Sequence, residues 1–182
     1  MGPQTEGPRY RVGAVVTALL AGMMLCAAGQ TAGATADRSR ANARPATLGA
    51  LCSSVSNMDR LVVTRTDSIP QDHFDFTFPS LVTVRNARVV RAAARALCAL
   101  PKMPKSGLHC PADWGITYHL ALAAKGHDFP SVDVDATGCQ GVRGLGQLRW
   151  VARSPEFWKV LGTAMGLAKP DASTFAGSRV DG

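Results

Sequence analysis

Apolar and polar residues alternate without a break from Trp114 to Leu122. Trp114, Ile116, Tyr118, Leu120 and Leu122 fall on one side, and Gly115, Thr117, His119 and Ala121 on the other. A period of two belongs to a strand with one face buried. Lys125-Gly126-His127-Asp128 reads as a hairpin turn, and Val132, Val134 and Ala136 then alternate with Asp133 and Asp135 on a returning strand. Matching the two apolar faces sets Tyr118 opposite Val134. Such a hairpin needs further strands beside it and helices over its apolar face.

The rest of the chain supplies both. Leu61-Val62-Val63-Thr64 is an apolar, β-branched run that ends near Asp67. Ser68 to Asp72, with Pro70, reads as a turn. Phe74, Phe76 and Phe78 alternate with Asp75 and Thr77, and Leu81 to Val84 continues that strand past a bulge or edge at Pro79. Asn86 can cap a helix reaching about Leu100, with Val89, Val90, Ala93, Leu97 and Leu100 at helical spacing and Pro101 and Pro104 stopping it. Residues 140–152 are Gly-rich, with a short strand at Leu148–Val151. Ser154-Pro155-Glu156 starts a second helix, whose apolar face carries Phe157, Leu161, Ala164 and Met165 and which Gly166 ends. The expected fold class is α+β. It is an antiparallel sheet of four to five strands with two helices packed on one face, in the order β-β-α-β-β-(β)-α, with two disulfides.

The N-terminus carries a different signature. Arg9 and Arg11 precede an apolar run from Val12 to Ala28, and the small-residue tail Ala32-Gly33-Ala34-Thr35-Ala36 follows. This pattern is that of a secretory signal peptide with cleavage after Ala34 or Ala36. The expected organisation is a signal peptide at 1–36, a flexible arm at 37–50, one α+β domain at 51–168 and a flexible tail at 169–182. The expected location is outside the cell, with contact to a membrane only through the signal segment.

Removing 36 of the 182 residues leaves 146, enough for one domain with a genuine core. It also removes two of the 20 basic residues and one of the 13 acidic ones, leaving a net charge of +6. The excess is spread along the chain. Arg85, Arg88, Arg91 and Arg95 share one helix face, with few aromatics near them, so they read as a solvated face and not as a nucleic-acid site. A basic surface favours acidic partners or anionic wall polymers.

Cys26 leaves with the leader, so the mature cysteines are Cys52, Cys98, Cys110 and Cys139. Four cysteines in an exported chain read as two bridges with three connectivities. Cys110 precedes the first hairpin strand and Cys139 follows the second, which favours Cys110–Cys139 with a one-residue bulge at Gly138, and leaves Cys52–Cys98. The main rival is Cys98–Cys110. Zinc would want close cysteine or histidine pairs, which the sequence lacks.

Catalytic patterns are not prominent. His73, His109, His119 and His127 are scattered, and Asp133 and Asp135 share one strand face, which could hold a cation but suits a solvated face as well. The sequence has no G-x-S-x-G, no H-E-x-x-H and no phosphate loop. No enzymatic activity, cofactor or metal is expected.

His109-Cys110-Pro111-Ala112-Asp113-Trp114 resembles the reactive loop of the bacterial subtilisin-inhibitor family. The likeness covers the order and spacing of elements over residues 60–139. It implies a small exported inhibitor of an extracellular serine protease, with Cys110, Pro111, Ala112 and Asp113 as the protease-binding loop. Ala112–Asp113 would be the bond offered, and Ala112 the residue in the specificity pocket. This chain departs from the family in three ways: the strand before the helix has no cysteine to pair with Cys98, a final helix is added, and Asp113 is acidic. The chain also resembles small exported actinomycete proteins of unknown function that carry C-P-A-D-x-G-x-x-Y and T-G-C, here Cys110 to Tyr118 and Thr137-Gly138-Cys139. The alternative to an inhibitor is a non-catalytic structural or cell-wall-binding protein. The two differ in whether residues 108–113 stand out as an exposed, extended loop.

Overall fold

A computed structural model describes residues 48–67 and 74–180. The expected signal peptide at 1–36, the expected arm as far as residue 47, the expected turn at Ser68–Asp72 and His73 lie outside the described residues.

The core element is β4 (Ile116–Ala124), the strand expected from the alternation. β1 (Met58–Asp67) pairs with it antiparallel along its length, and β3 (Leu81–Val84) pairs with the far side of β1. On the other side of β4 come β6 (Val132–Asp135), β7 (Gly141–Arg143) and β8 (Arg149–Trp150), giving the order β3-β1-β4-β6-β7-β8. The short β5 (His127–Asp128) closes the hairpin with β4, and Lys125 and Gly126 both have positive φ between them. Tyr118 faces Val134, the register that the apolar pattern requires.

Two helices cover one face of this sheet. α2 (Ala87–Cys98) starts at Asn86, whose side chain accepts from the backbone N–H of Arg88 and of Val89. It buries Val90, Ala93, Ala94 and Leu97. α3 (Pro155–Ala164) buries Phe157, Trp158 and Leu161. Its start rests on Pro155 in the first turn, since the Ser154 side chain makes no capping hydrogen bond. The architecture is α+β with two disulfides. Cys52, in α1 (Leu48–Ser53), bridges to Cys98 with Cα atoms 5.7 Å apart, and Cys110 bridges to Cys139 with Cα atoms 4.7 Å apart. Bridges of this kind belong to an oxidising environment.

Four expectations change. The main sheet has seven strands rather than four or five, because β5 and β7 are too short to show a period in sequence. The phenylalanine strand does not run on through Pro79. β2 (Phe74–Asp75) and β3 belong to different sheets, since proline cannot donate to a ladder. The arm is already helical at Leu48–Ala50.

The segment 169–182, read as a flexible tail, folds as far as Val180. α4 (Ala172–Ala176) opens on a capping box between Asp171 and Thr174, and β9 (Ser178–Arg179) pairs with β2. Phe175 is the reason. It is fully buried, with its ring 4.7 Å from Trp158 and 5.2 Å from Tyr118, and its carbonyl accepts the Tyr118 hydroxyl at 2.8 Å. Each such ring pair adds about 0.5–1.5 kcal/mol beyond its buried area. That offsets the ordering of a short, polar segment.

Candidate functional site

β4 begins at Ile116, so the residues before it are free of the ladder. His109, Cys110, Pro111, Ala112 and Asp113 are all exposed and have no regular secondary structure. Leu108 and Trp114, at either end, are half-buried. The sequence-derived candidates Cys110, Pro111, Ala112 and Asp113 thus form one continuous surface loop.

Both ends of the loop are tied to the end of the returning strand. Cys110 is bridged to Cys139. Asp113 Oδ1 accepts from the Gly115 N–H at 2.9 Å and from the Thr137 hydroxyl at 2.9 Å. That hydroxyl accepts in turn from the Trp114 N–H at 3.1 Å. Gly138 fits beneath. Its φ is +62°, and an added Cβ would lie 2.8 Å from the Asp113 Cβ and Cγ, so only glycine allows this approach.

The bulge expected at Gly138 takes another form. Ile116 and Ala136 are joined by the last regular bond of the β4–β6 hairpin. Five residues then lie between Ile116 and Cys110, but only two between Ala136 and Cys139. The surplus is on the loop side, where the Asp113 side chain folds the backbone back and Gly115 has φ +70°.

Beyond the loop, Trp114 lies under the C-terminal segment. Its ring is 6.3 Å from that of Phe74, and the Arg179 guanidinium carbon lies 4.8 Å from its centroid. Before the loop, Pro101–Met103 runs beside β8: the Trp150 N–H donates to the Pro101 carbonyl at 2.9 Å, and the Met103 N–H to the Leu148 carbonyl at 3.0 Å. Arg179 was not singled out by sequence, and Gly115 and Thr137 were named there only inside motif runs. The T-G-C run was the signal for Thr137.

One feature works against an offered bond at Ala112–Asp113. The Ala112 carbonyl accepts from the Gly138 N–H at 3.2 Å. A protease must receive that oxygen in its oxyanion hole, so this hydrogen bond has to open on binding.

The other candidates lie on the open face of the sheet. His119 Nδ1 is 2.7 Å from Asp133 Oδ1, and its Nε2 is 2.9 Å from Thr66 Oγ1. Arg143 donates to both oxygens of Asp135, at 2.6 and 2.9 Å, and Thr117 Oγ1 donates to the same carboxylate at 3.1 Å. The Asp135 hydrogen bond holds the Arg143 guanidinium above its ordinary pKa. The two aspartates therefore serve neighbouring side chains. No group of three or more His, Cys, Asp or Glu able to hold a metal occurs among the described residues. His109 and His127 are exposed.

No protein-family model matches the chain, and no curated protein or solved structure matches it.

Proposed function

We propose that the protein is an exported inhibitor of an extracellular serine protease, acting through the loop Cys110-Pro111-Ala112-Asp113. The signal-peptide pattern at residues 1–36 supports export. One observation carries the inhibitor reading: five consecutive exposed residues without regular structure, bridged at Cys110 and hydrogen-bonded at Asp113. A loop tied at both ends loses little entropy when it enters a protease cleft. The small Ala112 side chain enters the specificity pocket, and Pro111 keeps the chain extended before it. The tethers hold the two sides together if the bond is cut, so that religation competes with release.

The test is titration of the mature protein against subtilisin- and trypsin-like proteases. Stoichiometric inhibition is expected from the wild type, and none from Ala112→Pro, because proline fixes φ and cannot donate its N–H to the enzyme.

The second reading is a non-catalytic structural or wall-binding protein. The inward hydrogen bond of the Ala112 carbonyl favours it. Failure of the wild type to inhibit any protease of the panel leaves that reading in place.

A further inference from the structure

Next to the loop runs an open groove of about 810 Å³. Its walls are the segment Lys102–Lys105 with Leu108 on one side, and Gln147 and Leu148 on the other. Backbone hydrogen bonds from Met103 to Leu148 and from Trp150 to Pro101 hold the two wall segments together. The groove is lined by the apolar Met103, Pro104, Leu108 and Leu148 together with the cationic Lys102 and Lys105. Leu148 is 48% exposed, a high value for a leucine. Lys102 and Lys105 are exposed as well.

The charge is one-sided. From Ala99 to Ala112 the chain carries two lysines and no acidic residue. The Asp135 carboxylate, close to Gly141 as are Leu148 and Met103, is neutralised by two hydrogen bonds from Arg143. The groove is also continuous with the loop, because Leu108 lines both it and the smaller cleft beside Cys110 and Pro111.

We infer that this groove is a second docking surface that takes an acidic loop, with an apolar side chain at its tip, from the rim of the protease held at Cys110–Asp113. The inference rests on the inhibitor reading. Charge and shape together select this occupant. A polyanionic polymer would gain from Lys102 and Lys105 but not from Met103, Leu108 and Leu148. A protease loop passing over the residues just before Cys110 meets both. Rim lysines act mainly on the rate of association, and their effect fades when salt shortens the Debye length from about 8 Å.

The experiment uses the mature protein and two forms of one subtilisin-type protease, with glutamates or with lysines on the rim of its substrate cleft. Association rates are measured at low and high salt for the wild type, Lys102→Glu/Lys105→Glu and Leu148→Asp. Both lysines are exposed, and an unchanged urea midpoint verifies that the charge-reversed protein is folded. For the acidic-rim protease, charge reversal is expected to slow association about tenfold or more at low salt. For the basic-rim protease it speeds association, and high salt removes both effects. Leu148→Asp is expected to hasten dissociation. Equal inhibition of both proteases, unmoved by salt or by the three substitutions, overturns the groove while leaving the loop reading intact. No inhibition of either protease by the wild type, at any salt concentration, overturns both.

Discussion

The Thr137 hydroxyl donates to Asp113 Oδ1 at 2.9 Å and joins the last residue of the exposed loop to the strand end that carries Cys139. Thr137 is buried, and it is the polar side chain on which the loop leans. Thr137→Val keeps the volume and removes the hydroxyl. Both the Asp113 carboxylate and the Trp114 N–H then lose a partner. The expected cost is about 1–2 kcal/mol in urea unfolding. In a protease assay the variant is expected to be cut faster than the wild type.

The Cys110–Cys139 bridge governs the same loop by covalent means. On the inhibitor reading, Cys139→Ser is expected to turn the protein into a substrate, because the cleaved ends separate before religation. Mass spectrometry of the digest, following the cut after Ala112, checks this. Replacing Cys52 and Cys98 together acts elsewhere. That bridge closes a span of 46 residues. Its loss is expected to lower stability by about 2–4 kcal/mol while leaving the loop tethers in place.

Phe175→Ala tests the C-terminal segment. The ring fills a buried site between Trp158, Tyr118 and Phe78. Its removal is expected to cost about 3–5 kcal/mol. That is a large share of the about 5–15 kcal/mol that holds a typical domain together. Thermal unfolding followed by circular dichroism measures it.

Tyr118 gives the protein an alkaline limit. Burial is the main cause that pushes its phenol above the ordinary value of about 10, with the Arg65 charge opposing it. A folded-state pKa above the unfolded one means that the neutral phenol stabilises the fold. That contribution is complete below about pH 10 and is lost as the pH rises toward the folded value. Tyr118→Phe removes this alkaline loss. It also costs about 1 kcal/mol at neutral pH, because the Phe175 carbonyl loses its donor. Urea midpoints of both proteins at neutral pH and above pH 10 test the sign. Tyr118 is the only tyrosine after residue 36, so its ionisation can be followed by absorbance, free of a second tyrosine, in a protein produced from residue 37 onward.

The sheet was legible where periodicity had room to show. Seven residues of β4, Ile116 to Leu122, display their alternation, and Tyr118 opposite Val134 follows from it. Asn86 announced α2 because its side chain caps the helix locally. The short elements were silent. Gly141-Val142-Arg143 is a strand because β6 and β8 flank it, and three residues carry no period. Asp171 to Arg179 is polar and small except for Phe175, whose burial depends on partners far away in the sequence. The loop residues Cys110 to Asp113 stood out through their cysteine and proline. Their anchors Thr137 and Gly115 were visible only as members of the T-G-C and C-P-A-D-x-G-x-x-Y runs, which carry no sign of their hydrogen bonds to Asp113.

Phe175 is also the last-synthesised member of the aromatic core. It lies more than fifty residues beyond β4, yet it completes the aromatic cluster to which β4 contributes Tyr118. Until the ribosome has made residue 175, the nascent chain has a hole where that ring belongs and no hydrogen-bond acceptor for the Tyr118 hydroxyl. The aromatic core therefore closes only after synthesis has passed this point.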